Sequence, residues 1–175
     1  MDDTLLVQRF LGAGGRDRDA AFEDIFSIHH RRVSGICERI CGNRALAEDA
    51  VQETFLEVFK ALPAFRGESR LGTWIYRVAV RTALRSRARL PPVADAVVEA
   101  RAPLTHPDAA LAARAEARAV QAALASLPAE QSAVVALFAD DGLSHSEIAA
   151  ILGIPEGTVW SRLHKARKPL AAAIA

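Results

Sequence analysis

The chain has 175 residues, enough for one medium domain or two small ones. Hydrophobic residues make up 51% and aromatics 6%, with a formal net charge of +1, so there is apolar material for packed cores and an Ala/Leu bias toward helices. Two cysteines are too few for a disulfide scaffold, no apolar run approaches the ~20 residues that span a bilayer, and "MDDTLLVQRF" opens with acids unlike a signal peptide. The expected compartment is therefore reducing and cytoplasmic.

A first short helix is expected around Leu5, Leu6, Phe10 and Leu11, ended by "GAGG" at 12–15. A long helix follows from Asp19, with Phe22, Ile25, Phe26, His29, Val33, Ile36, Cys37 and Ile40 at helical spacing, until Gly42-Asn43 breaks it. A third runs from about 44 to 62. Its apolar stripe is Ala47, Val51, Phe55, Val58, Phe59 and Leu62, its other face carries Glu48, Asp49, Glu53 and Glu57, and Pro63 stops it. "AFRGESR" (64–70) reads as a loop. A fourth helix, 71–88, is expected to bury Leu71, Trp74, Ile75, Val78 and Ala79 and to show Tyr76, Arg77, Arg81 and Arg85 outward. Residues 90–112 hold four prolines and weak periodicity, which suits a flexible linker. Helix resumes at 113–126, and Pro128 starts another that runs to about 139. After a turn at 140–142, Ser144 and Glu147 form a capping box; Gly153 ends that helix and Pro155-Glu156-Gly157 starts the last. No strand pattern or internal repeat stands out, so the fold class is all-α.

The near-zero net charge hides two basic segments. Arg66 to Arg89 holds seven arginines against Glu68, a local charge of +6, and Gly157 to the end adds Arg162, Lys165, Arg167 and Lys168 with no acid. Local basic patches are the footprint of nucleic-acid binding. In the last helix Val159, Leu163, Ala166 and Leu170 form one buried face. Thr158, Trp160, Ser161, Arg162, His164, Lys165 and Lys168 lie on the opposite one. With the capped helix before it, this is a helix-turn-helix built to enter a major groove. The first patch differs: Tyr76 among Arg77 and Arg81, behind a loop with Arg66, Gly67, Ser69 and Arg70, suits stacked, unpaired bases. Trp74 is read as core packing, with a wedge between bases as the alternative. Cys37 and Cys41 share a helix face, and with His29 and His30 they make a candidate metal or redox set. Cys37 sits on the buried stripe and is read as a small hydrophobe, with a metal or redox site as the lesser alternative. No nucleophile–base set or phosphate loop appears, so no catalytic residue, metal, cofactor or small-molecule substrate is expected.

The segments "AEDAVQETFLEVFKAL" (47–62), "FRGESRLGTWIYRVAV" (65–80), "LPAEQSAVVAL" (127–137) and "GLSHSEIAAILGIPEGTVWSRLHKAR" (142–167) resemble, in that order, the extracytoplasmic-function group of bacterial sigma factors. The resemblance implies two helical domains, a sigma region 2-like domain at 1–90 and a region 4-like helix-turn-helix domain at 113–175, joined by a linker at 91–112. It implies that Asp49, Gln52, Glu53 and Phe55 dock on core RNA polymerase. Phe65, Arg66, Gly67, Ser69 and Arg70 with Tyr76, Arg77, Arg81 and Arg85 would hold the melted minus-ten strand of promoter DNA. Thr158, Trp160, Ser161, Arg162, His164, Lys165, Arg167 and Lys168 would read the minus-thirty-five duplex. It also implies an anti-sigma factor as a partner. Three positions depart from the family: Arg81 and Arg85 stand where Asn and Asp are common, and Trp160 stands where a basic residue is common. An operator-binding regulator that does not join polymerase is the rival reading.

Overall fold

Gly12 ends the first helix, and the chain re-enters helix only three residues later. The computed structural model describes residues 3–89, 119–139 and 143–172; the expected linker, the 113–118 start of the next helix and the turn at 140–142 lie outside the described residues. Helix α1 spans Asp3–Gly12 and α2 spans Gly15–Cys41. The second begins earlier than its apolar stripe predicts. Asp17 sits favourably in its first turn, and Arg18 lies over the rings of Phe10 and Phe59 at 4.4 and 5.1 Å. Gly42 ends α2 in the left-handed region at φ 63°, donating its N–H to the Glu38 carbonyl. Asn43 then caps α3, Arg44–Ala61, by accepting the Leu46 N–H at 3.1 Å.

A 3-10 turn at Leu62–Ala64 carries Pro63 and leads through the 65–70 loop into α4, Leu71–Ala88. Beyond the gap come α5 at 119–126, α6 at Ala129–Phe138, α7 at His145–Leu152 and α8 at Glu156–Ala172. All the described regular structure is helical, as expected for an all-α chain.

Helix α2 is the central post, packed by α1, α3, α4 and α6. Its buried Ile25, Val33, Ile36 and Ile40 meet Val58, Leu71, Ile75 and Val78. Each such side chain contributes roughly 1.5–3 kcal/mol when taken fully out of water. Near the α1 end the core is aromatic: Phe22 meets Phe59 edge-on at 5.0 Å, and Phe10 meets Phe59 at 5.4 Å. Two buried hydroxyls on α3 and α4 satisfy each other: Thr54 and Thr82 share a hydroxyl hydrogen bond of 2.6 Å, and Thr54 also donates to the Ala50 carbonyl.

The same buried cluster continues into the C-terminal half through Val134, Leu137, Ile148, Ile151 and Val159. A smaller cluster of Leu124, Leu127 and Ala166 seats α5 against α8. The N- and C-terminal halves are thus packed on one another.

Candidate nucleic-acid interface

The Ser144 capping box forms as the sequence predicts: the Glu147 N–H donates to Ser144 Oγ at 3.2 Å, and the Ser144 N–H donates to Glu147 Oε2 at 2.9 Å. The Ser144 N–H and hydroxyl, with Arg70 nearby, hold the Glu147 carboxyl below the ordinary carboxylate range. Gly153 closes α7 in the left-handed region at φ 66°, and α8 follows after Pro155. Val159 and Ala166 are buried, with Leu163 and Leu170 half-buried beside them. Ser161, His164, Lys165 and Lys168 form the open face, with Arg167 exposed on one flank.

Three side chains on that helix are placed differently from a simple solvent face. Arg162 turns back to α6 and pairs with Glu130 at 2.7 Å, leaving its side chain 21% exposed. Thr158 is half-buried, and its carbonyl accepts the Ser161 hydroxyl. Trp160 is 59% exposed and lies flat on His145, ring centres 4.2 Å apart and planes 13° from parallel. It borders an apolar groove of about 550 Å³ with Phe138, Leu163 and Leu170.

The second surface lies around the 65–70 loop. Gly67 adopts φ 72°, a conformation that favours glycine. Phe65 packs on Trp74 at 5.2 Å, and the two line a cavity of about 440 Å³ with Arg66, Glu68, Ser69 and Arg77. Trp74 is half-buried there, between the core and wedge readings. Tyr76 is a correction: expected outward, it is only 7% exposed. It is hydrogen-bonded to His29 Nδ1 at 2.9 Å, with Arg32 over its ring at 5.4 Å. The contact with α2 explains the inward turn, because His29 gives the phenol a buried partner that helical spacing alone does not reveal.

Arg81 and Arg85 stay at the surface but are committed to acids on α3. Arg85 reaches Glu57 at 2.6 Å and Glu53 at 2.8 Å, Arg81 bonds Glu57, and Arg89 lies 3.9 Å from Glu53. Hydrogen bonding from Arg85 and then Arg81 holds the Glu57 carboxyl below its usual range. Arg77 donates to the Ala150 carbonyl at 2.7 Å and to the Ile151 carbonyl at 3.1 Å, and Arg70 stands 3.5 Å from Glu147.

On α3, Asp49 and Gln52 are exposed and Glu53 is half-buried in its arginine pairs. Phe55 is a second correction to a surface role: it is 5% exposed and packs on Phe26 at 4.6 Å, as its place on the apolar stripe dictates. The exposed apolar residue on the acidic face is Leu56, at 59%, which the sequence reading missed. Its offset from Gln52 and Glu53 puts it on their face and was the available signal.

Residues 25–90 match the family pattern of sigma-70 region 2, and residues 117–170 match sigma-70 region 4. The chain is 37% identical over 97% of its length to the ECF RNA polymerase sigma-E factor of Escherichia coli (strain K12), covering 93% of that protein. It is 30% identical over 98% of its length to the RNA polymerase sigma-H factor of Pseudomonas aeruginosa, again covering 93% of that protein. The chain belongs to the extracytoplasmic-function group of RNA polymerase sigma factors.

As a sigma factor it directs core RNA polymerase to specific promoters and helps open DNA for initiation. Its fold is shared with solved structures. CnrH in complex with the cytosolic domain of CnrY superposes with a TM-score of 0.72 at 22% identity, covering 97% of this chain and 95% of that one. The sigma factor RpoE in complex with the anti-sigma factor NepR from Bartonella quintana gives 0.63 at 22% identity, covering 87% of this chain and 96% of that one.

Both sigma-factor cysteines lie in the core. Burial, with Cys41 close by, pushes the Cys37 thiol up to about 12, and burial pushes Cys41 up to about 11. Such thiols are protonated and unreactive at neutral pH. Cys41 points its sulfur at the Ala83 carbonyl 3.6 Å away, which fits a small core hydrophobe with a weak donor. Among the described residues no group of three His, Cys, Asp or Glu side chains is arranged to hold a metal, and no helix is long and apolar enough to cross a membrane.

Proposed function

We propose that this sigma factor divides promoter recognition between two helical domains, 1–90 and 113–175, joined by the 91–112 linker. The observation that carries this division is the presence of two unlike basic surfaces. One is an open recognition-helix face at Ser161, His164, Lys165 and Lys168; the other is an aromatic-walled cavity at Phe65 and Trp74 edged by Arg66 and Arg77. The first suits a duplex, where Lys reaches phosphate or guanine and Ser reaches base edges. The second has the size and stacking walls to take an unpaired base of the minus-ten strand.

Polymerase docks on the α3 face through Asp49, Gln52 and Leu56, with Glu53 held in place by Arg85. The bound anti-sigma factor NepR of the Bartonella relative supports an anti-sigma partner here as well. The protein acts in the cytoplasm, without enzymatic chemistry of its own. Run-off transcription with purified core polymerase tests the reading. Promoter-specific transcripts that depend on the added chain are expected, and Leu56→Asp is expected to reduce them at limiting polymerase. Normal activity of Leu56→Asp would remove that residue from the docking surface.

A further inference from the structure

We propose that a column of three rings, one each from α6, α7 and α8, holds Trp160 as a rigid apolar plate that reads the methyl group of a thymine in the upstream duplex. His145 is its positioning residue. The proposal deepens the assignment of the α8 face to duplex DNA and rests on it.

Phe138 ends α6, His145 opens α7, and Trp160 lies in the N-terminal third of α8. Their rings follow one another in space. The centres of Phe138 and His145 are 5.5 Å apart with planes tilted by 35°, and those of His145 and Trp160 are 4.2 Å apart at 13°. The imidazole, half-buried, thus contacts both other rings, while the indole at the outer end is 59% exposed. A surface indole without such a neighbour can choose among several rotamers; a stacked ring selects one. The entropy of ordering the side chain is then lost on folding and not on binding, which raises affinity and discrimination.

The N-terminal residues of a recognition helix meet base edges. Trp160 shares that end of α8 with Ser161, whereas the exposed cations Lys165 and Lys168, suited to phosphates, stand further along. An indole has one N–H donor and no acceptor. It cannot fork onto guanine as arginine does, and it cannot accept from the amines of adenine or cytosine. What it offers is apolar area, and the one methyl group on a major-groove base edge belongs to thymine. A polar edge turned against the ring would lose water without gaining a partner. The chemistry of position 160 therefore selects thymine. Enclosing one methyl-sized group corresponds to about a fourfold gain in affinity.

Replacing thymine by uracil deletes that methyl group and leaves base pairing unchanged, so it isolates the contact. Holoenzyme assembled from the full chain and core polymerase selects an upstream duplex from a randomised pool, and each thymine of that duplex is then replaced by uracil in turn. At one position uracil should weaken binding about fourfold. Trp160→Ala should bind the two duplexes equally. His145→Ala should lose most of the difference, and His145→Phe, which keeps a ring in the column, should restore it. Lost stability alone would weaken both duplexes alike, so the thymine-to-uracil ratio separates reading from folding. Wild-type holoenzyme indifferent to uracil at every position overturns the proposal. So does a full uracil effect in Trp160→Ala, which puts methyl reading elsewhere, or in His145→Ala, where the column would not set the indole. If Lys165→Ala still weakens the selected duplex, those failures sink methyl reading alone; selection of no upstream sequence removes the duplex assignment and the proposal with it.

Discussion

An indole on the recognition helix offers one donor and a broad apolar face, where an arginine would offer a charged fork. Trp160 is held flat by His145, from the first turn of α7, so on the proposed duplex-reading role its orientation is set in advance. Trp160→Arg is expected to shift base preference in the upstream element, read by selection from randomised duplexes. Because the ring is largely exposed, the urea midpoint should scarcely move; a large loss of stability would make Trp160 a packing residue instead. Lys165 lies on the open face, and Lys165→Ala should lower the slope of log affinity against log salt by about one if it contacts a phosphate. Arg162→Ala should leave that slope unchanged, since its charge is spent on Glu130. The buried thiols set a different residue-scale expectation. Their folded values lie above the unfolded one, so their contribution is complete below pH ~9, where an unfolded thiol stays protonated. Above that the unfolded chain ionises first, and stability falls by roughly 1.4 kcal/mol per pH unit per thiol until the folded values near 11 and 12 are reached. Urea titrations between pH 8 and 10.5 should show a shallower decline in Cys37→Ala/Cys41→Ala than in the wild type.

At the scale of elements, α3 and α4 neutralise each other along one edge. Glu53 and Glu57 engage Arg81, Arg85 and Arg89, so the two family departures at Arg81 and Arg85 answer acids on the neighbouring helix. Exposed pairs of this kind contribute little to stability and are screened by salt. On the proposed strand-binding role of this face, their consequence is to withhold cations from DNA. Glu57→Gln should therefore bind single-stranded DNA several-fold more tightly and with a steeper salt slope; equal affinity for wild type and variant would mean the arginines do not face the strand. The sign of the pH effect follows from the lowered Glu57 value. Its contribution is present above the ordinary carboxylate range and is lost as pH falls through the folded value, so releasing the arginines by acid mimics Glu57→Gln.

Among the described residues, the larger apolar cluster crosses from α2 and α4 to α6 and α7 and so joins the two halves. The chain has two tryptophans, Trp74 in the N-terminal half and Trp160 in the C-terminal half. Single-tryptophan variants Trp74→Phe and Trp160→Phe let each half report its own unfolding. A shared core predicts coincident urea midpoints for the two probes at low salt. Separated midpoints would mean that the halves fold independently and that their contact is weak.

Much of this was legible in the sequence because helix signals are local. Asn43, Ser144, Gly42 and Gly153 fix helix ends through capping bonds or positive φ within a few residues, and periodicity alone places Val159 and Ala166 inward. The ordered motifs from 47 to 167 carried the family for the same reason. Which side chains remain available was not local. Tyr76 is buried because His29, from another helix, offers it a hydrogen bond, and Phe55 because Phe26 packs against it at a tilt. Arg85 is claimed by α3, Arg162 by α6 and Arg77 by α7. A helical pattern states which face a residue occupies; only the packing of elements distant in sequence decides what that face meets.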